Sequence, residues 1–486
     1  RPVVIRTKTV SGWLGRIGYA EPSESRERFL APKLADLTNP SAMVDRDAAT
    51  TRLVRAIREG ERIVVFGDYD CDGMTSTAIL TEALRKLGAA SVEPVLASRF
   101  DGGYGLSARA LERVLALEPH LVVTCDCGSS DHASLRGLAE KNVDVVVIDH
   151  HLVPDEPLPA LAFLNPHRPE CGFPYKGLAS CGLVLSVVAS LRTALGVELD
   201  VRSWLDLVAI GTIADVAPLD GDNRALVRAG LRELAKRQRP GLLALLDLIG
   251  IDGEHPLAAS DVSFRIAPRL NAPGRLGSPE AALALMLERD VDKARMIAAE
   301  VEQLCVARRE EQKRIEEEAR LDAAAFVAAG ATALVLGRAD WNHGIVGIVA
   351  GRLAEEHGCP VIVVGFEGDV GRGSVRGPAG FPLFDALEEA SEHLVRFGGH
   401  QAAAGLEVRA GMLDAFRDAF VSACARRSEF ERPVPTEPLD WIEGDDAAQL
   451  LEDLHQLEPC GAKNPAPELR VRALVPGVLL DAVALA

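Results

Sequence analysis

The sequence lacks the features that define several large protein classes. No apolar stretch reaches the ~18 residues that a membrane-spanning helix needs, so we do not expect a membrane protein. The nine cysteines are scattered and do not have the spacing of a disulfide framework, which favours a reducing, cytoplasmic compartment. Internal repeats and low-complexity tracts are also missing, so the chain is expected to fold into ordinary globular domains.

Positive charge is scarce as well. The chain has 53 lysines and arginines against 71 aspartates and glutamates, which gives a net charge of −18. Taken alone, this balance argues against a nucleic-acid-binding protein, because contacts to phosphate require lysine and arginine. It does not exclude a metal-dependent phosphoesterase, because bound cations offset carboxylates and a local basic groove can coexist with an acidic exterior.

Apolar runs alternate with helical patterns from about residue 62 to about residue 217. This alternation predicts a parallel α/β sheet. The predicted strands are 63–66, 92–97, 121–124 and 143–148, and the predicted helices are 75–87 and 108–117.

The remainder of the chain predicts a second, smaller α/β unit. Residues 290–329 contain neither proline nor glycine, which predicts one helix of ~60 Å. Strands at 333–336 and 361–364 with a helix at 344–356 follow it. We therefore predict five segments: a lead-in (1–60), a first α/β domain (61–277), a connecting helix (278–330), a second α/β domain (331–430), and a linker with the start of a further domain (431–486).

Clusters of acidic residues and histidines follow four apolar runs. Each run is typical of a buried parallel strand, and ligands of open parallel sheets bind at the strand carboxyl ends. So many carboxylates and imidazoles at one edge would repel each other without cations between them. The sequence therefore predicts a binuclear metal site. The residues concerned are Asp68, Asp70 and Asp72, then Asp126, then Asp149, His150 and His151, and finally Asp215.

Other interpretations of single clusters remain open at this point. The alternating aspartates are not a calcium loop of the EF-hand type, because the twelfth position counted from Asp68 is Ile79 and not glutamate. They could form a solvated turn, and Asp215 could be a helix cap. Cys125 and Cys127 could form a thiolate site, although no second cysteine pair has metal-binding spacing.

Together the four clusters resemble the motifs of the DHH phosphoesterases. The matching segments are 67–73, Asp126, Asp149-His150-His151 and 211–216. Further stretches are similar to the RecJ branch of this family, and the resemblance extends from roughly residue 60 to residue 470. These stretches are 269–277, 341–350, 398–400 and 457–465.

The resemblance implies an architecture and an activity. The fold class would be α/β: a parallel-sheet DHH domain joined by a long helix to a smaller α/β DHH-associated domain, with the start of a C-terminal β-barrel of the OB-fold type. The activity would be that of a 5′-to-3′ exonuclease on single-stranded DNA, acting in DNA repair and recombination in the bacterial cytoplasm. The implied partners are single-stranded DNA with a 5′ end, a single-stranded-DNA-binding protein and a helicase. A monomer without membrane contact is expected.

The resemblance also implies roles for the clustered residues. Two divalent cations, manganese or magnesium, would be bound, with Asp126 bridging both and Asp68 assisting. His151 would contact the scissile phosphate. The implied metal ligands are Asp68, Asp70, Asp72, Asp126, His150 and Asp215, and the catalytic residues are these without Asp68 but with His151.

Substrate-binding residues are implied in both domains. Arg99, Ser374 and Arg376 match family positions that bind the 5′-phosphate, and arginine suits this because its fork bonds phosphate oxygens in pairs. His400 would approach the active site from the second domain. The residues expected to line the DNA groove are Arg269, Asn271, Arg275 and His343.

The chain departs from the RecJ pattern in two respects. Lys463 occupies a position where the family usually has glycine, and most of the barrel would lie beyond Ala486, so weakened DNA binding is expected. Two alternatives are kept: a small-substrate DHH phosphodiesterase that cleaves nanoRNA or cyclic dinucleotides, and a non-catalytic DHH scaffold.

Overall fold

The computed structural model describes residues 3–19, 23–254, 256–401, 403–427, 429–430, 439–440 and 445–470. The chain divides into two compact units. The first comprises Arg1–Glu302 with Glu437–Ala486, and the second comprises Gln303–Thr436. Within the described residues, no helix is both long and apolar enough to cross a membrane.

A five-stranded parallel sheet forms the centre of the first unit. Its order is β2-β1-β3-β4-β5, and the registers align the last residues of β1, β3 and β4. These strands consist mostly of apolar residues, and they are buried on both faces. The residues that follow the three strands therefore meet at one edge of the sheet. The strands are β1 (Arg62–Gly67), β2 (Ser91–Leu96), β3 (Leu121–Cys125), β4 (Asp144–Ile148) and β5 (Ala162–Leu164).

Helices of the first unit pack on the sheet and continue into a largely helical region. They are α1 (Lys8–Arg16), α2 (Glu24–Leu30), α3 (Arg46–Glu59), α4 (Cys71–Lys86), α5 (Ala108–Leu115), α6 (His132–Glu140), α7 (Ser180–Leu195), α8 (Leu205–Ala214), α9 (Gly221–Leu234), α10 (Pro240–Leu248), α11 (Ala259–Asp261), α12 (Ala267–Leu270), α13 (Ala272–Leu276) and α14 (Glu280–Leu287), with a π-helical turn at Val262–Ile266. The proline- and glycine-free segment forms one continuous helix as predicted, α15 (Val291–Ala328).

One predicted strand is wrong. The apolar run 210–214 belongs to helix α8, which begins at Leu205 and is buried along almost its whole length. A helix that is apolar on all sides shows no 3.6-residue periodicity, so its last turn has the same sequence signature as a buried strand. Asp215 consequently follows a helix and not a strand.

The second unit has a mixed sheet of order β6-β7-β8-β10-β9. The pair β6–β7 is parallel and the other neighbours are antiparallel. Its core is formed by apolar side chains of the sheet and of the helices that pack on it. The elements are β6 (Leu334–Arg338), α16 (Val346–His357), β7 (Val361–Glu367), β8 (Val370–Arg376), α17 (Leu383–Glu389), β9 (Leu394–Gly399), β10 (Ala403–Arg409) and α18 (Leu413–Ala425).

The C-terminal segment returns to the first unit. Helix α19 (Ala447–His455) packs with α1 and α2 in a small apolar cluster that includes Trp13 and Leu454. The strands β11 (Leu439–Asp440) and β12 (Leu469–Arg470) pair in parallel. Most of the linker and of the predicted barrel start lies outside the described residues.

Candidate metal centre

The first acidic cluster lies where β1 ends and α4 begins. Asp68 is buried directly after β1, and Asp70 is the N-cap of α4, with its Oδ1 accepting from the N–H groups of Asp72 (3.0 Å) and Gly73 (3.1 Å). A Cβ atom on Gly73 would lie 2.5–2.7 Å from backbone atoms of Asp68. Only glycine permits this approach, so the tight turn keeps all three carboxylates on one short segment.

Asp126 and Asp149 follow the neighbouring strands β3 and β4. The N–H of Asp126 donates to the carbonyl of Ile148 (2.9 Å), and its backbone is left-handed, with φ of 63°. A non-glycine residue in this region is uncommon and persists where the surrounding structure determines it. Asp149 is buried and its Oδ1 accepts from the N–H groups of His150 (2.8 Å) and His151 (3.2 Å).

The side chain of His150 brings the separate clusters together. Its Nε2 atom lies 3.2 Å from Asp126 Oδ1, 3.7 Å from Asp215 Oδ2 and 3.9 Å from Asp72 Oδ2. This nitrogen is buried, and it makes no hydrogen bond of acceptable geometry within the described part of the chain. A buried nitrogen that faces three carboxylates without a hydrogen bond has the environment of a metal ligand.

Three overlapping groups of side chains could each hold an ion. Within each group the ligand atoms lie within 4.8 Å of one another. Asp126 belongs to two groups and His150 to two, which matches a pair of neighbouring cations with a shared carboxylate. The groups are Asp68, Asp70 and Asp126; Asp72, His150 and Asp215; and Asp126, His150 and His151.

The electrostatics of the cluster favour a bound cation. Burial, reinforced by neighbouring carboxylates, raises the pKa of Asp68 and of Asp126 well above the usual range. Burial and the charge of Asp72 raise the pKa of Asp215 to about 8. Burial lowers the pKa of His150, which keeps its imidazole in the neutral, metal-binding form. Carboxylates with an imidazole suit manganese, and mostly carboxylate donors also suit magnesium, so the residues fit the predicted cations.

His151 has a different environment from His150. Its Nδ1 lies 2.7 Å from Asp149 Oδ1 and 3.0 Å from the hydroxyl of Tyr104. Burial opposes the charged imidazolium, but the hydrogen bond and charge of Asp149 prevail and raise the pKa of His151 to about 9. A protonated His151 can donate to an anionic oxygen, which is consistent with its predicted contact to phosphate.

The sequence alone did not identify the residues that form hydrogen bonds to the predicted metal ligands. Helix α7 begins at Ser180, whose N–H donates to Asp72 Oδ2 (2.7 Å) and whose hydroxyl donates to Asp126 Oδ1 (3.0 Å). The N–H of Cys181 donates to Asp72 Oδ1 (2.9 Å), and the hydroxyl of Tyr104 donates to the carbonyl of Asp126 (3.2 Å). Tyr104 could have been found, since it lies within the glycine-rich loop after Arg99. A serine at a helix start is common and gives no such signal.

The predicted substrate-binding residues of the first unit differ in their partners. The guanidinium of Arg99 lies 3.8 Å from the ring centroid of Tyr69, a cation–π geometry. Arg269 is ion-paired with Glu302, including a hydrogen bond of 3.2 Å, so its charge is already matched within the fold. The remaining two are half-buried: Asn271 and Arg275.

In the second unit, two predicted residues share one face of β8. A Cβ atom on Gly347, in the first turn of α16, would lie 2.9 Å from Ser374 Oγ and 3.4 Å from Arg376 Nη2. These two side chains thus meet at the start of α16. Arg376 also borders a cavity of about 770 Å³. The other two candidates of this unit are the half-buried His343 and the exposed His400.

Comparison with known proteins gives matches over most of the chain. The DHH family N-terminal domain matches residues 62–212, and the DHHA1 domain matches residues 327–426. The single-stranded-DNA-specific exonuclease RecJ of Dickeya dadantii is 38% identical over 475 residues, which cover 92% of this chain and 81% of that protein. RecJ of Bacillus subtilis is 34% identical over 478 residues, which cover 96% of this chain. The chain spans 59% of the length of that relative.

The fold has a counterpart of known structure. The crystal structure of RecJ from Thermus thermophilus in complex with Mn²⁺ matches with a TM-score of 0.81 at 34% identity, covering 95% of this chain and 65% of that chain. This match confirms the predicted α/β fold class, with a parallel-sheet domain and a smaller mixed-sheet domain. Identity and coverage together show that this chain belongs to the RecJ family of DHH proteins.

Proposed function

We propose that this chain is a metal-dependent exonuclease that hydrolyses the phosphodiester bonds of single-stranded DNA from the 5′ end. The observation that carries the proposal is the buried cluster in which Asp126 belongs to two adjoining ligand groups. The relatives' name, single-stranded-DNA-specific exonuclease, supports the substrate class.

The ligand groups suggest how two cations would be held. Asp68, Asp70 and Asp126 would hold one, and the other would be held by Asp72, His150 and Asp215. Asp126 adjoins this second group, because its Oδ1 lies 3.2 Å from His150 Nε2. Bound manganese or magnesium would lower the pKa of the attacking water and stabilise charge on the departing oxygen. No serine or cysteine nucleophile is required.

His151 would bind the scissile phosphate. Asp149 and Tyr104 fix its ring through Nδ1, and the positive charge that Asp149 favours would neutralise a phosphate oxygen as negative charge accumulates. His150 and His151 are thus neighbours in sequence with separate tasks, one neutral toward a cation and one charged toward the substrate.

Direction would be set by recognition of the terminal 5′-phosphate. Arg99 in the first unit and Ser374 with Arg376 in the second are the proposed contacts, since guanidinium groups bind phosphate oxygens in pairs. Single-stranded DNA with a 5′ end is the proposed partner. A single-stranded-DNA-binding protein, a helicase and a monomeric state remain predictions.

The direct test is digestion of a long single-stranded oligodeoxynucleotide labelled at its 3′ end, with manganese or magnesium present. Labelled products that shorten progressively from the 5′ end are expected, and chelation with EDTA should stop the reaction. A parallel digestion of the same strand labelled at the 5′ end should release labelled mononucleotide at once.

Two results would replace the proposal. Failure to cut the long strand together with rapid turnover of dinucleotides or cyclic dinucleotides would indicate a small-substrate DHH phosphodiesterase. Failure to cut any of these substrates, with no metal bound after purification and manganese dialysis, would indicate a non-catalytic scaffold.

A further inference from the structure

The first backbone N–H groups of α7 are not capped by the side chain of the residue that precedes the helix. The first N–H groups of a helix have no partner within the helix and are usually satisfied by the side chain of the N-cap residue. In α7 the N-cap is Ala179, whose side chain has no hydrogen-bond acceptor. The N–H groups of Ser180 and Cys181 instead donate to the two carboxylate oxygens of Asp72, at 2.7 and 2.9 Å.

Asp72 therefore caps α7 although it lies in the first turn of α4. It is fully buried, and both of its oxygens are fixed by donors from another helix. A carboxylate at the N-terminus of a helix of 16 residues is also stabilised by the helix dipole. The orientation of this ligand is thus set by α7 and does not depend on a cation.

Ser180 extends the same support to Asp126. Its hydroxyl is buried and donates to Asp126 Oδ1 at 3.0 Å. This oxygen is also the one that lies 3.2 Å from His150 Nε2, and Asp126 and His150 share one of the ligand groups. One residue at the start of α7 therefore contacts the carboxylates of Asp72 and Asp126, which repel each other.

We propose that Ser180 is a positioning residue of the metal centre, whose hydroxyl fixes the Asp126 carboxylate in the orientation that binds cations. This proposal rests on the proposed function of the site. Ser180 acts through Asp126 and not on the substrate. Hydrogen bonds to charged acceptors are stronger than those to neutral ones, and removal of a partner that orients a metal ligand typically changes metal affinity by about 10–100-fold.

The test is Ser180→Ala, with Ser190→Ala as its matched control. Ser190 lies on the same helix, is buried, and has a hydroxyl bond of 2.8 Å, but its partner is Thr50 and not a metal ligand. Each variant loses one buried hydroxyl, so both should lose similar thermal stability in EDTA. Titration of the metal-free full chain with Mn²⁺, followed by calorimetry, should show affinity weakened at least about tenfold in Ser180→Ala only.

A third variant tests the hydrogen bond itself. Ser180→Cys keeps a weaker donor of similar shape, so its Mn²⁺ affinity should lie between wild type and Ser180→Ala. Wild-type affinity in Ser180→Ala, or an equal loss in Ser190→Ala, would overturn the positioning role while leaving the metal centre intact. If the wild-type chain itself failed to bind Mn²⁺, the proposed function would fall and the positioning role with it.

Discussion

The two units hold their functional candidates in opposite environments. In the first unit, carboxylates from three segments meet His150 in a buried cluster, and burial together with the neighbouring carboxylates raises the pKa of Asp126 and of Asp215. In the second, Ser374 and Arg376 are half-buried side by side on a strand, and His400 is exposed. Buried charges are stable only with a partner, whereas half-exposed ones are also satisfied by water. Burial more than residue type thus distinguishes the candidate metal centre from the predicted substrate contacts of the second unit.

The two units also differ in which residue types adopt left-handed backbone conformations. Among the described residues, all non-glycine residues with left-handed φ belong to the first unit, and in the second unit every such position is glycine. Two of these residues, Asp126 and Val216, lie at or beside the metal centre. Such conformations persist where the surroundings determine them, as they do for Asp126 between β3 and the carbonyl of Ile148.

The largest effect should come from removing one charge of the buried cluster. In Asp126→Asn the amide keeps the shape of the side chain but loses the negative charge that the proposed cations require, so we expect activity to fall by more than about 100-fold. The amide also relieves repulsion from the neighbouring carboxylates, so the melting temperature in EDTA should not fall. Cleavage assays and thermal unfolding measure the two effects.

The control for this variant is Asp222→Asn. Asp222 is likewise buried in the first unit, but it binds Thr38 and is not part of a ligand group. The Asp222→Asn variant should therefore retain activity. Activity near wild type in Asp126→Asn with normal metal content would contradict the proposed centre.

A smaller effect is expected from crowding the packing of α8 on α4. A Cβ atom on Gly211 would lie 2.4 Å from Thr75 Oγ1 and 2.9 Å from Asp72 Oδ1. Gly211→Ala should therefore displace Asp72 or Asp215, weaken Mn²⁺ binding about tenfold, and cost about 1–3 kcal/mol of stability. Isothermal titration and urea unfolding check the two values.

The second unit supplies the matched control. Gly351 is also inside a helix, but a Cβ atom there would have its nearest neighbour at 4.0 Å. Gly351→Ala should be neutral or stabilising by up to about 1 kcal/mol, because alanine is the better helix former. Equal losses in both variants would show that the close approach at Gly211 has no special role.

At the proposed 5′-phosphate contact of the second unit, a single substitution should affect the use of substrate and not the binding of metal. Arg376→Ala should lower kcat/KM about tenfold on 5′-phosphorylated DNA, as expected for a lost charged hydrogen bond, and should leave Mn²⁺ affinity unchanged. Arg372→Ala is the control, because Arg372 lies on the same face of β8 but binds Glu407 at 3.0 Å. Turnover that is independent of the 5′-phosphate, before and after mutation, would refute the 5′-phosphate contact.

Sequence alone could predict the sheet edge of the metal centre because two signals coincide there. Strands β1, β3 and β4 consist mostly of apolar residues, and each is followed directly by aspartate. Parallel strands end at the same edge, so adjacency in sequence to a strand end becomes adjacency in space. The fourth run failed as a strand because an all-apolar helix has the same signature.

The residues that form hydrogen bonds to the predicted metal ligands could not be predicted in this way. Ser180 meets Asp126 across 54 residues and Asp72 across 108, contacts that depend on how α7 packs against the sheet. Similarly, no pattern around Arg269 indicates that its charge is matched by Glu302 on the following long helix. Residue type predicts what a side chain can bind, whereas only the fold determines which partner it has.

The smallest effect compares two residues with the same backbone φ near helix ends. Val216, the second residue after α8, has φ of 59°, and Gly358, the first residue after α16, has φ of 61°. A β-branched residue is strained in this region, and Val216 is 72% exposed, so its side chain gains little from burial. Val216→Gly should therefore raise the free energy of unfolding by about 1 kcal/mol, and Gly358→Val should lower it by a similar amount. Because glycine keeps the same backbone, Asp215 should remain in place and Mn²⁺ affinity should not change. Urea unfolding of the two full-length variants measures the difference, and a loss of stability in Val216→Gly would show that the valine side chain stabilises the end of α8.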